Sequence, residues 1–176
     1  MKGPPSATAT KPKGIVGNKP VANQVHAKES TYIPALYLRN EQSSKILIYF
    51  HGNAEDLILA EDQMRLIKDF CNVSVIGMEY PGYGFYQGNG EASEEKLKED
   101  AEYLYKFLLH DMDIEQNDII VFGRSMGGGP AAWLAGTFKP RALGLMSAYT
   151  SVCRVARDHV GWFPALFLSE RFDNIN

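Results

Sequence analysis

Residues 118–127 read Asp-Ile-Ile-Val-Phe-Gly-Arg-Ser-Met-Gly. Asp118 to Phe122 is a short, mostly apolar run and reads as a strand. Ser125 to Ala135 then reads as a helix. The turn between them carries Gly123-x-Ser125-x-Gly127. A nucleophilic serine needs a sharp strand-to-helix turn at this point, so that its hydroxyl stands clear of the backbone. Gly123 and Gly127 leave room where strand and helix approach. The helix beyond directs unpaired N–H groups at the site. The Met126 N–H is the expected donor to the oxyanion of a tetrahedral intermediate. A plain glycine-rich turn into a helix is the alternative. Pro130 falls late for a first-turn proline, so an irregular helix start is expected.

Outward from this turn, strand and helix alternate. Lys45 to Phe50 and Val73 to Met78 read as strands buried on both faces and Ala142 to Met146 as a further strand, with Ile33 to Leu38 pairing at one edge. Glu55 to Phe70 has helical period, with Leu57, Ala60, Met64 and Ile67 on one stripe. Ser93 is placed to cap the next helix, with Glu94 and Glu95 in its first turn. Leu97, Ala101, Leu104 and Leu108 recur along that helix. Such alternation predicts an α/β fold: βαβ units in a mostly parallel sheet with helices on both faces. Ligands of these sheets sit outside the carboxyl ends of the strands.

Chemistry is therefore expected after Phe50, Tyr80 and Phe122. After Phe50 come His51-Gly52-Asn53-Ala54. Gly52 lets the backbone come close, and the Asn53 N–H is the candidate second oxyanion donor. His51 at a strand end suits loop shaping better than catalysis, because in this triad order the base follows the serine. After the strand that ends at Met78, Tyr80, Tyr83, Phe85 and Tyr86 are expected to rim the serine. Gly82, Gly84 and Gly88 have the wrong spacing for a dinucleotide fingerprint, and no Walker-type phosphate loop occurs. His26, His51, His110 and His159 are far apart and no Cys-x-x-Cys exists, so neither metal nor cofactor is expected.

The 176 residues are 45% hydrophobic and 22% charged, which excludes a collagen-like or wholly disordered chain. A net charge of −3 argues against a nucleic-acid binder. Residues 1–31 hold five Lys against one Glu and no aromatic, a net +4 that leaves −7 on the remainder. This arm cannot bury enough surface to order itself. It is expected to be mobile, with at most weak electrostatic contact to anionic lipid. Two cysteines, no run of 18 apolar residues and no apolar h-region suggest a cytoplasmic setting without a transmembrane span. The predicted organisation is thus a basic arm, 1–31, and a hydrolase-type domain, 32–176.

Three stretches, Tyr49-Phe-His-Gly-Asn-Ala-Glu-Asp-Leu57, Glu79-Tyr-Pro-Gly-Tyr-Gly84 and Gly123-Arg-Ser-Met-Gly-Gly-Gly-Pro-Ala131, together resemble the α/β-hydrolase superfamily. The closest branch is that of the intracellular α/β-hydrolase-domain proteins that include protein depalmitoylases. The resemblance runs from about Tyr32 to Asn176. It implies Ser125 as nucleophile, with Met126 and Asn53 as oxyanion donors. It also implies an acyl-ester or thioester substrate, palmitoyl-protein thioesters among them. Members often carry Asp where Glu79 stands, and a small residue where Tyr86 stands. Residues 1–70 hold no Cys, so attachment through an N-terminal cysteine cluster is not expected.

In this superfamily the triad runs serine, acid, histidine. Asp158 and His159 follow Ser125, but as neighbours they cannot relay through opposite ring nitrogens. They are read as surface residues. The sequence thus corresponds to the N-terminal two-thirds of a serine hydrolase with an incomplete triad, inactive or very weak as it stands. The missing strands would leave a sheet edge bare. The alternative is a non-catalytic binding or interaction protein on the same truncated fold. A flavodoxin-like nucleotide binder rests on the alternation alone. The motifs leave the particular substrate and the oligomeric state open.

Overall fold

The structure is a computed structural model and describes residues 32–86 and 93–148. The expected basic arm, and Asp158 and His159, lie outside the described residues.

Five strands form one sheet. They are β1 (Ala35–Leu38), β2 (Ile46–Phe50), β3 (Ser74–Met78), β4 (Ile119–Arg124) and β5 (Ala142–Met146). Their spatial order is β1-β3-β2-β4-β5. The β3–β2, β2–β4 and β4–β5 pairs are parallel, and β1 lies at the edge as the sequence predicts, joined antiparallel to β3. Every residue of β2 and β3 is buried. This is why both read as continuous apolar runs rather than alternating ones.

Among the described residues three α-helices flank the sheet: α1 (Leu57–Cys71), α2 (Glu94–His110) and α3 (Gly128–Phe138). On one face Leu57, Ala60 and Met64 of α1 pack with Leu47, Tyr49 and Val75. Gly77 lets α1 close down there, since a Cβ would lie 2.8 Å from a Leu57 methyl. On the other face Leu97, Ala101, Leu104 and Leu108 of α2, with Ala131 and Leu134 of α3, cover Ile48, Phe50, Ile76 and Val121. The two helix stripes read from the sequence are the two buried faces, with Ile67 only partly buried against its layer.

Ser93 caps α2 as expected, its hydroxyl accepting from the Lys96 N–H at 3.1 Å. The start of α1 differs from the expected Glu55. Asp56 takes the cap, its carboxylate accepting from the Leu59 N–H at 2.9 Å, and Glu55 is drawn elsewhere. The helix expected from Ser125 begins instead as a single 3-10 turn, Ser125–Gly127, with α3 starting at Gly128. Pro130 thereby becomes the third residue of α3, where its missing N–H is one that a first turn leaves unpaired anyway. Among the described strands β5 is an edge, and Leu143 and Leu145 on it are exposed.

Core and surface leucines should separate cleanly in denaturation. Leu104→Ala, at a side chain 5% exposed, is expected to cost about 2–5 kcal/mol in urea unfolding. Leu59→Ala, at 66% exposure, should stay within about 0.5 kcal/mol of the parent. Equal losses would contradict the assigned packing.

Candidate active site

Strand β4 delivers Ser125 to the carboxyl end of the sheet with φ +50°. A non-glycine residue held in this region costs roughly 1–3 kcal/mol and marks a turn that the surroundings enforce. Here the enforcement is steric. A Cβ on Gly123 would overlap the Gly127 carbonyl oxygen, and one on Gly127 would overlap the carbonyl oxygens of Phe50 and His51. Both glycines singled out in the sequence are therefore required by close approach. Gly128 is a third that the motif does not reveal, since a Cβ there would lie 2.6 Å from the Ala148 Cβ. The turn packs directly on the carbonyls that end β2, so the Ser125 turn and the His51–Ala54 loop adjoin.

Met126 is partly buried against the apolar layer of α2 and α3. Its N–H belongs to the first turn, where helical partners are lacking. Asn53 is exposed, and its side-chain oxygen accepts from the Tyr83 hydroxyl at 2.8 Å. Among the described residues no hydrogen bond occupies the Asn53 N–H. Gly52 has its N–H on Glu55 Oε2 at 2.8 Å. A Cβ on Gly52 would meet that same carboxylate at 3.1 Å, a tight but side-chain contact, so this glycine is less constrained than Gly123 or Gly127.

Glu55 also makes a close ion pair with Arg124, the residue before the serine. One carboxylate thus ties the loop after β2 to the end of β4. Beneath it, Tyr49 is fully buried and donates to Gln63 Oε1 at 3.0 Å. Burial pushes its phenol up to about 12, with Glu55 adding to the rise and Arg124 opposing it.

His51 is fully buried, stacked on Tyr80 with ring centroids 3.8 Å apart. Its Nδ1 lies 2.9 Å from the Gly52 carbonyl oxygen and its Nε2 lies 3.0 Å from Glu79 Oε1. Both nitrogens are engaged and neither is accessible, which agrees with a loop-shaping role. Glu79, 2% exposed, further accepts from the N–H groups of Tyr80 and of Leu57, the first residue of α1.

The expected aromatic rim needs correction. Tyr80 and Tyr86 are buried, at 2% and 6% exposure. The Tyr80 hydroxyl donates to the His51 carbonyl at 2.7 Å, and that of Tyr86 to Asp100 Oδ2 at 3.0 Å. Each hydroxyl has found a buried acceptor, and the ring follows it inward. Tyr83 stays half-buried beside Asn53, and Phe85 is exposed. Sequence reasoning missed the roles of Glu55 and Glu79. A buried carboxylate at a strand end was the available signal for Glu79, and nothing local distinguished Glu55 from a helix-opening acid.

Among the described residues no group of three His, Cys, Asp or Glu is placed to hold a metal ion, and no helix is long and apolar enough to cross a membrane.

The chain is similar to the human α/β-hydrolase domain-containing protein 17B, 30% identical over 125 residues that are 70% of this chain and 43% of that one. A putative α/β hydrolase of Acanthamoeba polyphaga mimivirus is 28% identical over 130 residues, 72% of this chain and 49% of that one. An uncharacterized protein of Mycobacterium tuberculosis is 32% identical over 123 residues, 69% and 42% of the two chains. The chain spans less than half the length of each of these relatives. Among solved structures, an α/β hydrolase from Vibrio vulnificus superposes with a TM-score of 0.61 at 23% identity, over 74% of this chain and 50% of that one. An esterase of the bacterial hormone-sensitive lipase family gives 0.51 at 21% identity, over 67% and 41%. These structures share the fold, a mostly parallel sheet with flanking helices. No protein-family model matches the chain.

Two outcomes test the site's construction. Gly127→Ala should destabilise by about 1–3 kcal/mol or more through overpacking against β2. Gly136→Ala on α3, where a Cβ meets nothing within 4 Å, should gain up to about 1 kcal/mol. Similar effects at the two glycines would contradict the close approach. The second outcome concerns alkaline pH. Unfolded, Tyr49 ionises near 10.0; folded, near 12. Its contribution to stability is intact below pH ~10 and is lost as pH rises toward ~12. Tyr49→Phe should therefore flatten part of the alkaline fall in unfolding free energy, and an unchanged slope would contradict the assignment.

Proposed function

We propose that this chain, which belongs to the α/β-hydrolase superfamily, carries the nucleophile half of a serine hydrolase acting on carboxylic esters or thioesters. The observation that carries the reading is Ser125 at φ +50° between β4 and α3, in a turn that only glycines 123 and 127 permit. In the proposed reaction the Ser125 hydroxyl attacks the acyl carbonyl. The negative charge that develops on the carbonyl oxygen is taken by the N–H groups of Asn53 and Met126. Collapse expels the alcohol or thiol and leaves an acyl-serine, which water then hydrolyses.

A general base must take the hydroxyl proton. His51 is committed to Gly52 and Glu79, and His110 sits in the last turn of α2. In triad order the acid and the histidine follow the serine. The proposal places both outside the described residues, in keeping with relatives about twice as long as the matched part. Palmitoyl-protein thioesters are among the substrates that the resemblance of the three loop motifs implies. A cytoplasmic site of action, with residues 1–31 as a basic arm giving weak contact to anionic membranes, belongs to the same proposal.

A second reading, a non-catalytic interaction protein, draws on exposed Leu143 and Leu145 along β5. A serine-directed fluorophosphonate decides between them. The proposal expects an adduct on Ser125, located by peptide mass spectrometry and abolished in Ser125→Ala. A folded protein whose Ser125 stays unmodified would contradict it and favour the second reading.

A further inference from the structure

Both polar groups of Gly52 are spent: its N–H on Glu55 and its carbonyl on the His51 ring. The described peptide bonds are all trans. A planar trans peptide holds its C=O and the following N–H antiparallel. Pointing the Gly52 oxygen at the buried imidazole therefore turns the Asn53 N–H away from it, out of the interior. A backbone carbonyl can only accept, so His51 must carry a proton on Nδ1.

What keeps the ring in that pose is Glu79. Its Oε1 meets Nε2 at 3.0 Å, while the carboxyl is itself anchored by the Tyr80 and Leu57 N–H groups at 3.2 and 3.1 Å. Tyr80 stacks on the ring face and fastens the His51 carbonyl through its hydroxyl. Without the contact at Nε2, the ring would be held by a hydrogen bond at Nδ1 alone and could turn its donor off the Gly52 oxygen. A ring so turned would release the Gly52 oxygen, and the peptide would be free to rotate.

We propose that His51 and Glu79 are a positioning pair that aims the Asn53 N–H by holding the Gly52 carbonyl. The inference rests on the serine-hydrolase reading for its consequence, since that N–H is the proposed oxyanion donor. Neither residue touches substrate. The pair acts through one peptide plane, and its effect should fall on the chemical step.

Four variants of the full chain test it. His51→Asn keeps a donor at the place of Nδ1, and Glu79→Gln keeps a hydrogen bond to Nε2. His51→Gln keeps the reach to Glu79 but loses the donor to Gly52, and Glu79→Met removes the contact at Nε2. Crystal structures report the direction of the Gly52–Asn53 peptide. Phosphonylation of Ser125 by a fluorophosphonate, with loss of fluoride, reports the maximal inactivation rate separately from the probe's binding constant. Loss of one oxyanion donor slows reaction by about 10²–10³-fold. His51→Gln and Glu79→Met should show a rotated peptide and about a 10²-fold slower maximal rate at an unchanged binding constant. His51→Asn and Glu79→Gln should keep the parent's peptide and rate within a few-fold. A peptide and rate unchanged in either loss variant would overturn the pair, as would a rotated peptide in either conservative one. Should the parent protein form no adduct at all, the hydrolase reading falls, and the peptide direction alone decides the pair.

Discussion

The site depends on the close approach of two backbones. Gly127, two residues beyond the serine, lies against the carbonyls of Phe50 and His51 at the end of β2. No side chain fits between them. That contact fixes the distance between the turn after β4 and the loop after β2, and it forces Ser125 into a left-handed backbone conformation. The strain is local and is offset by the parallel β2–β4 pairing below, from Ile46–Ile119 up to Phe50–Gly123. This pairing, with β2 buried along its whole length, is what makes such a turn tolerable.

Around this contact the loop after β2 is held by charges from three elements. Glu55 joins the Gly52 N–H to Arg124, and Glu79 joins His51 to the start of α1. Buried polar groups are costly unless every donor and acceptor is met. Here they are met by backbone amides as well as by side chains, so the network orders main chain rather than merely neutralising charge. The result leaves the Asn53 N–H without a partner among the described residues. An amide kept free and aimed in advance suits a charge that exists only during reaction.

Much of this architecture was legible in the residues. β2 and β3 declared themselves because burial on both faces removes alternation, and the helices because one face alone is buried. The serine turn was legible because its glycines are spaced by the geometry they serve. Other features depend on partners distant in sequence and were not. Tyr86 turns inward to Asp100, 14 positions on, and Tyr80 to the His51 carbonyl, 29 positions back. The aromatic rim failed for that reason. The first turn of α1 slipped by two residues because Glu55 is taken by Gly52 and Arg124, the latter 69 positions away. Pro130 did give a local warning, and a 3-10 turn precedes α3.

The central claim is that Ser125 presents its hydroxyl toward the amides of Asn53 and Met126. A crystal structure of the protein with an alkyl boronic acid tests this most directly, because a tetrahedral boronate places an oxygen where the oxyanion would stand. The account predicts boron bonded to Ser125 Oγ, with one boronate oxygen about 2.7–3.1 Å from both amide nitrogens. A boronate bound to Ser125 with its oxygens directed away from those amides, or no bond to Ser125 at all, would contradict it.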